Sequence, residues 1–199
     1  GLGEASDRQR RLRDIVLRET ERLDGLITDF LKYARPRTPE LASTDMVHIL
    51  RETVDAFRPQ CGAVVELEAD GEFWASADGG QIRQVVWNLL NNAGQAMDGV
   101  DGKITVTLER RGEEDRESPD VIRISVRDEG SGVDLAIRER IFEPFYTTRK
   151  AGTGLGLAIC QRIIEDHHGE LTLDHPADGG AEFSFELRAA TPLVSEAVA

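Results

Sequence analysis

The chain has 199 residues, 40% of them hydrophobic and 31% charged, with a net charge of −13 and a pI near 4.8. That is enough apolar material for a core, and too much negative charge for a surface that binds a phosphate backbone through clustered Lys and Arg. No apolar run of about eighteen residues and no signal-peptide stretch is found, so a soluble chain is expected; two widely separated cysteines, with Cys160 in an apolar helical pattern, fit a reducing cytosol.

Residues 1–37 carry nine basic and seven acidic side chains, so this stretch stands at +2 and the remainder at −15. The asymmetry predicts two parts. The first, 6–36, reads as one long helix: Ser6 with Gln9 forms a candidate capping box, and Pro36 and Pro39 stop the pattern near Ala34. Leu12, Val16, Glu19, Leu23, Leu26 and Phe30 recur at steps of four and three, and Ile15, Ile27 and Leu31 widen the stripe. A lone helix cannot bury such a stripe, so its spacing predicts a bundle with another chain or another segment in preference to packing on its own domain.

The second part, 44–188, alternates helices and strands. Thr44-Asp45 can cap a helix over Met46 to Phe57, ended by Pro59; strands VVELEA and EFWAS follow, then a helix from Asp78 to about Met97. ITVTLER and VIRISVRD flank RGEEDRESPD, whose charge marks an exposed hairpin loop. A glycine loop then opens a helix to about His167, followed by ELTLDH, a DGG turn and AEFSFEL, while 189–199 shows no pattern and is read as a disordered tail. Hairpin-joined strands with helices between them predict an α+β two-layer sandwich.

Three stretches carry chemistry. Gly152, Gly154 and Gly156 stand at a helix opening, just after Thr147, Thr148, Arg149 and Lys150. No Gly-Lys-Ser/Thr follows and no strand precedes, so neither a Walker A loop nor a dinucleotide fingerprint fits. Free N–H groups at the helix start would attract an anion, although glycines also serve positive φ or tight packing. On the helix from Asp78, Gln81, Gln84, Asn88, Asn91 or Asn92, and Gln95 form an amide face. Neutral carbonyl oxygens suit Mg²⁺ beside phosphates; a buried hydrogen-bond network is the alternative. Asp128-Glu129-Gly130-Ser131-Gly132 ends a strand, where the Asp128 carboxylate could accept from an adenine amine or simply form a turn.

In order along the chain, QVVWNLLNNAGQAM, DEGSG, FEPFYTT and GTGLGLAIC resemble the asparagine box, first glycine box, phenylalanine box and second glycine box of the catalytic and ATP-binding domain of bacterial sensor histidine kinases. That domain has the Bergerat-type fold shared with gyrase, heat-shock chaperone and mismatch-repair ATPases. RETERLDGLITDFLKYARP resembles the second helix of the dimerization and phosphoacceptor hairpin, so the likeness covers nearly all of 6–188. The short segment from Phe145 to Gly152 is similar to the compact lids of kinases that feed nitrogen-regulation and pilus-type activators.

The resemblance implies ATP and Mg²⁺ as cofactors. Asn92 would be the Mg²⁺ ligand, Asn88 a polar contact one turn earlier, Asp128 the adenine-amine acceptor, and Gly130 and Gly132 the close-approach glycines. Gly152, Thr153, Gly154, Leu155 and Gly156 would form the phosphate-facing lid and helix start, with Thr148, Arg149 and Lys150 as phosphate contacts and Phe142 and Phe145 as hydrophobic anchors. Asn88 stands where related hydrolases carry a glutamate that activates water. An amide cannot be that base, which favours phosphoryl transfer to a protein over hydrolysis.

In this family the attacking histidine lies on the first hairpin helix. His48, His167, His168 and His175 have no such surroundings and read as a helix-start residue, two helix-end residues suited to the dipole, and a strand-end residue. The implied activity is a protein-histidine kinase without its own phosphoacceptor, giving the γ-phosphate to a histidine elsewhere for relay to a response-regulator aspartate. Self-phosphorylation, regulator docking and phosphatase activity are expected to be weak or absent. Implied partners are a receiver domain, the phosphoacceptor helix and a second copy through the N-terminal helix, with no nucleic acid and no direct membrane contact, in the cytoplasm, whether or not the parent protein is membrane-anchored. A hydrolytic ATPase, an inert nucleotide-binding and dimerization module, and an anti-sigma-type serine kinase are the other readings.

Overall fold

The computed structural model describes residues 2–34, 37–112, 120–149 and 152–192. Helix α1 runs Leu2–Ala34. It begins four residues before Ser6, so Ser6 lies inside the helix and not at its start. Leu12, Ile15, Val16, Leu17, Leu23, Ile27, Phe30 and Leu31 are all at least half exposed, so these apolar side chains of the stripe face solvent; Tyr33, at the helix end, packs at the margin of the core. Among the described residues no helix is long and apolar enough to cross a membrane.

The remaining elements are β1 (Ala42–Asp45), α2 (Met46–Phe57), β2 (Val64–Glu68), β3 (Trp74–Ala77), α3 (Gly79–Ala96), β4 (Lys103–Arg111), β5 (Val121–Asp128), α4 (Gly156–Asp166), β6 (Leu171–Asp174) and β7 (Ala181–Arg188). Both long N-caps are aspartates. Asp45 accepts the His48 N–H at 3.1 Å, and Asp78 accepts those of Gly80 and Gln81 at 3.0 and 3.1 Å, satisfying donors that a helix start leaves unpaired. Beyond Phe57 a 3₁₀ turn, Arg58–Gln60, carries Pro59 near its start, where a missing N–H costs little.

A five-stranded sheet has the order β2-β4-β5-β7-β6. β2 and β4 are parallel because α3 crosses between them, and the other pairs are antiparallel. Period-two alternation sends Ile104, Val106, Leu108, Ile122, Ile124, Val126, Phe183, Phe185 and Leu187 to one face, all buried. That face meets Leu50 and Val54 of α2, Val86, Leu89 and Leu90 of α3, and Ile159 and Ile164 of α4, giving the two-layer α+β sandwich. VVELEA and EFWAS do not pair with each other. The Trp74–Ala77 half of the latter forms a separate antiparallel sheet with β1, a strand without sequence alternation. Ala189 bridges Ala75 and Ala190 donates to Trp74 O, so the chain beyond β7 is tied down as far as it is described; 193–199, like residues 113–119 of the charged hairpin loop, lie outside the described residues.

His167 is not an exposed dipole partner. It is buried, its Nε2 accepts the Asp78 backbone N–H at 3.0 Å, and its Nδ1 donates to Ile163 O at 2.7 Å, an arrangement that requires the Nδ1–H tautomer. The ring thereby pins the start of α3 to the end of α4. His167→Ala leaves a buried N–H without an acceptor and is expected to cost about 2–3 kcal/mol, read from urea unfolding; a loss below about 1 kcal/mol would mean that water replaces the ring.

Candidate functional site

The site is built where β5, α3 and the segment before α4 converge. Asp128, the last residue of β5, is only 3% exposed. Its Oδ1 accepts the Gly130 N–H at 3.0 Å, and the Ala181 N–H also points to the carboxylate. Burial pushes the Asp128 carboxyl above the usual carboxylate range, against those N–H groups and the nearby Arg149 charge. The turn that follows closes backbone on backbone. A Cβ on Gly130 would lie 2.5 Å from Ala96 O, and Gly132, with φ +70, backs onto Gly180 O. Gly180 itself, with φ +78, has room for no Cβ: it would stand 1.8 Å from Asp128 O. Sequence reasoning missed Gly180, Ala96 and the Ala181 N–H as supports of Asp128; the DGG doublet before β7 was the available signal.

The amide face of α3 divides. Gln81 and Gln84 line a cavity of about 270 Å³ with Tyr33, Arg37 and Arg162, away from Asp128. Asn91 donates to Trp87 O one turn back and lines a second cavity of about 580 Å³ with Phe57 and Cys61. Asn92 and Gln95 turn toward Arg149, and Gln95 also borders the second cavity. Arg149 donates to Asn92 Oδ1 at 3.0 Å, to Asn92 O at 3.2 Å and to Gln95 Oε1. Burial lowers the Arg149 pKa and Asp128 opposes the shift; a guanidinium remains cationic in either case. Asn88, one turn before Asn92, donates to Gly156 O at 3.4 Å and also contacts Cys160, whose thiol burial pushes up to about 12. So Asn88 braces the start of α4, and Cys160 is an inert core thiol.

In the lid, Phe142 packs edge-on to Phe183 with ring centroids 6.4 Å apart. Phe145 corrects the paired-anchor expectation: the residue is 57% exposed, and it holds the lid through its backbone, with φ +67 and its N–H donating to Gly154 O at 2.8 Å. Gly154 is required there, since a Cβ would lie 2.5 Å from the Phe145 carbonyl carbon. The Leu155 side chain is fully buried and anchors the core, so any ligand contact there falls to its backbone; its N–H donates to Thr153 Oγ1 at 3.3 Å. Gly156 faces open space, so no packing demands a glycine there. Gly152 closes on the Thr147 hydroxyl, which also accepts the Arg149 N–H. Thr148 is exposed, and Lys150 lies outside the described residues. No side-chain cap bond is made by Leu155 at the start of α4, a helix end of the kind that can receive an anion.

Among the described residues no group of three or more His, Cys, Asp or Glu could hold a metal. The donors here are amide oxygens, and Asn92 Oδ1 already faces a cation, Arg149. A hard carbonyl oxygen so placed fits Mg²⁺, which takes one or two protein ligands and fills its shell with phosphates and water.

Residues 77–191 match the family described as histidine kinase-, DNA gyrase B-, and HSP90-like ATPase. The nitrogen regulation protein NtrY of Azorhizobium caulinodans is 34% identical over 187 residues, covering 90% of this chain and 23% of that protein. Sporulation kinase E of Bacillus subtilis is 32% identical over 181 residues, covering 87% and 23% respectively. The chain thus spans about a quarter of the length of these curated relatives. Among solved structures, full-length ShkA in complex with AMPPNP superposes with a TM-score of 0.74 at 29% identity, covering 92% of this chain and 40% of that one. The matched family spans more than half of the sequence and includes α3, Asp128 and the start of α4: this chain belongs to the histidine kinase-, DNA gyrase B- and HSP90-like ATPases.

Proposed function

We propose that the chain is the ATP-binding catalytic part of a sensor histidine kinase, and that it passes the γ-phosphate of Mg-ATP to a histidine carried on another segment. What supports this is one arrangement: Arg149 is seated on Asn92 within reach of the Asp128 charge, while the neighbouring position that would need a carboxylate for hydrolysis holds the amide Asn88, bonded to Gly156 O. Asp128 accepts from the adenine amine in a buried setting. The start of α4 presents N–H groups to the phosphates, and Asn92 offers its side-chain oxygen to Mg²⁺, which supplies charge neutralisation when bound. Asn88 has no lone pair basic enough to deprotonate water, so positioning carries the reaction.

That the acceptor lies elsewhere is supported by the surroundings of three histidines, while His168 is exposed at the end of α4. His167 is buried, His175 Nε2 is bonded to Val133 O at 2.9 Å, and His48 faces Glu52 at 3.3 Å. On this reading residues 6–36 belong to a helical hairpin and 44–188 to the catalytic domain. The open stripe of α1 is then covered by the phosphoacceptor helix and a second copy; a receiver domain is the onward partner, and the setting is cytoplasmic. The likeness to NtrY supports a nitrogen-regulation type.

Calorimetric titration with Mg²⁺ and AMPPNP tests the reading. Saturable one-to-one binding is expected, weakened about tenfold or more by Asn92→Ala, and labelled ATP should leave no stable phosphohistidine on this chain. A folded chain that fails to bind would favour the inert dimerization module, and sustained phosphate release would favour the hydrolase.

A further inference from the structure

The Arg149 guanidinium is held as a cation among oxygens. Its Nη1 reaches Asn92 Oδ1 at 3.0 Å and Gln95 Oε1, and its Nη2 reaches the backbone O of Asn92 at 3.2 Å. All three acceptors come from one turn of α3, and Asp128 adds its negative charge. Asn92 Oδ1 is also the oxygen that the site offers to a metal. A Mg²⁺ bound at about 2.1 Å from that oxygen would compete for the same lone pairs and meet a fixed positive charge only 3.0 Å from the shared ligand atom. Asn91 cannot take over, because its amide is turned away to Trp87 O.

We infer that Arg149 and Mg²⁺ exclude one another at Asn92 Oδ1: arrival of the metal-bound nucleotide expels the guanidinium from the Asn92–Gln95 pair. Arg149 is thus an internal competitor that sets how strongly nucleotide binding depends on metal. This rests on the nucleotide-site reading and deepens it, because a plain phosphate-binding arginine would have no reason to sit on the metal ligand. The expelled guanidinium is then free to face the phosphates, so removing it has two opposed effects on total affinity. Only the metal dependence isolates the exclusion.

The probe is AMPPNP, titrated calorimetrically into the parent chain and Arg149→Met, each with Mg²⁺ and with EDTA. Arg149→Met should raise the ratio of the Kd in EDTA to the Kd in Mg²⁺ by about tenfold, the scale of a lost charge-assisted contact. A ratio that stays constant while both affinities fall together would overturn the inference and leave Arg149 as a phosphate contact alone. A second readout needs no nucleotide: phenylglyoxal modification of Arg149, followed by mass spectrometry. The Asn92→Ala, Gln95→Ala variant, if folded by circular dichroism, should be modified severalfold faster at Arg149, and an unchanged rate would show that these amides do not hold it. Failure of the folded parent to bind AMPPNP under either condition would bring down the site reading and the exclusion together, whereas binding with a constant ratio brings down the exclusion alone.

Discussion

Gly180→Ala is expected to destabilise the domain by about 3 kcal/mol or more, the largest effect of any single methyl group at this site. The added Cβ would lie 1.8 Å from Asp128 O and 3.1 Å from Glu129 Cα, and φ is +78. Both obstacles are backbone, so no rotamer change relieves them. The end of β5 would have to move, carrying Asp128 and the Gly130–Gly132 turn with it, and nucleotide affinity should fall along with stability. Gly179→Ala is the control: its φ is +101, yet a Cβ there meets nothing within 4 Å, so only the conformational cost of about 1 kcal/mol applies. Urea unfolding of the two variants measures the difference, and equal midpoints would mean that the β5–β7 contact is looser than described.

Asp128→Asn should separate function from stability. On the proposed reading, in which the carboxylate accepts from the adenine amine, its loss is expected to weaken AMPPNP binding about a hundredfold, the scale of one charged hydrogen bond in a buried site. Unfolding should respond in the opposite direction. Burial raises the folded-state pKa of Asp128, so the folded chain holds that proton more tightly than the unfolded chain does. The resulting stability is fully present below the unfolded carboxylate value of about 3.9 and is lost as pH rises through the folded value. Asparagine carries no charge at any pH, so the variant should gain on the parent as pH rises to 7, and the gap should close in acid. A gap independent of pH would place the cost in shape, and a less stable variant at pH 7 would show that the N–H groups of Gly130 and Ala181 outweigh the burial.

Much of this was legible because it is local. Asp45 and Asp78 announce helix starts, and the alternation in VIRISVRD and AEFSFEL marks strands buried on one face. The pairing of strands was less accessible. ASTD has no alternation and becomes β1 only because Trp74–Ala77 is available opposite it, a partner thirty residues on. The site divides along the same line. Asp128 is marked by its place at a strand end before glycines and Asn92 by the amide face and the resemblance, but Gly180 matters only through a contact with residues about fifty positions earlier, and Phe145 looks like an anchor until its positive φ turns the side chain outward. The seat of Arg149 on Asn92 joins positions 57 apart. Ser6 misled for the opposite reason: its capping pattern is purely local, and α1 simply runs past it.

The small β1–β3 sheet also fixes where the chain enters and leaves the catalytic layer. β1 lies on β3, Ala189 and Ala190 lie on β3 as well, and Ser43 donates to Thr191 O. Entry and exit are therefore stitched to the same short strand. Ends joined in this way are the arrangement that circular permutation needs, so linking 192 to 41 and opening the chain between β4 and β5 is expected to leave a folded domain, checked by circular dichroism and urea unfolding.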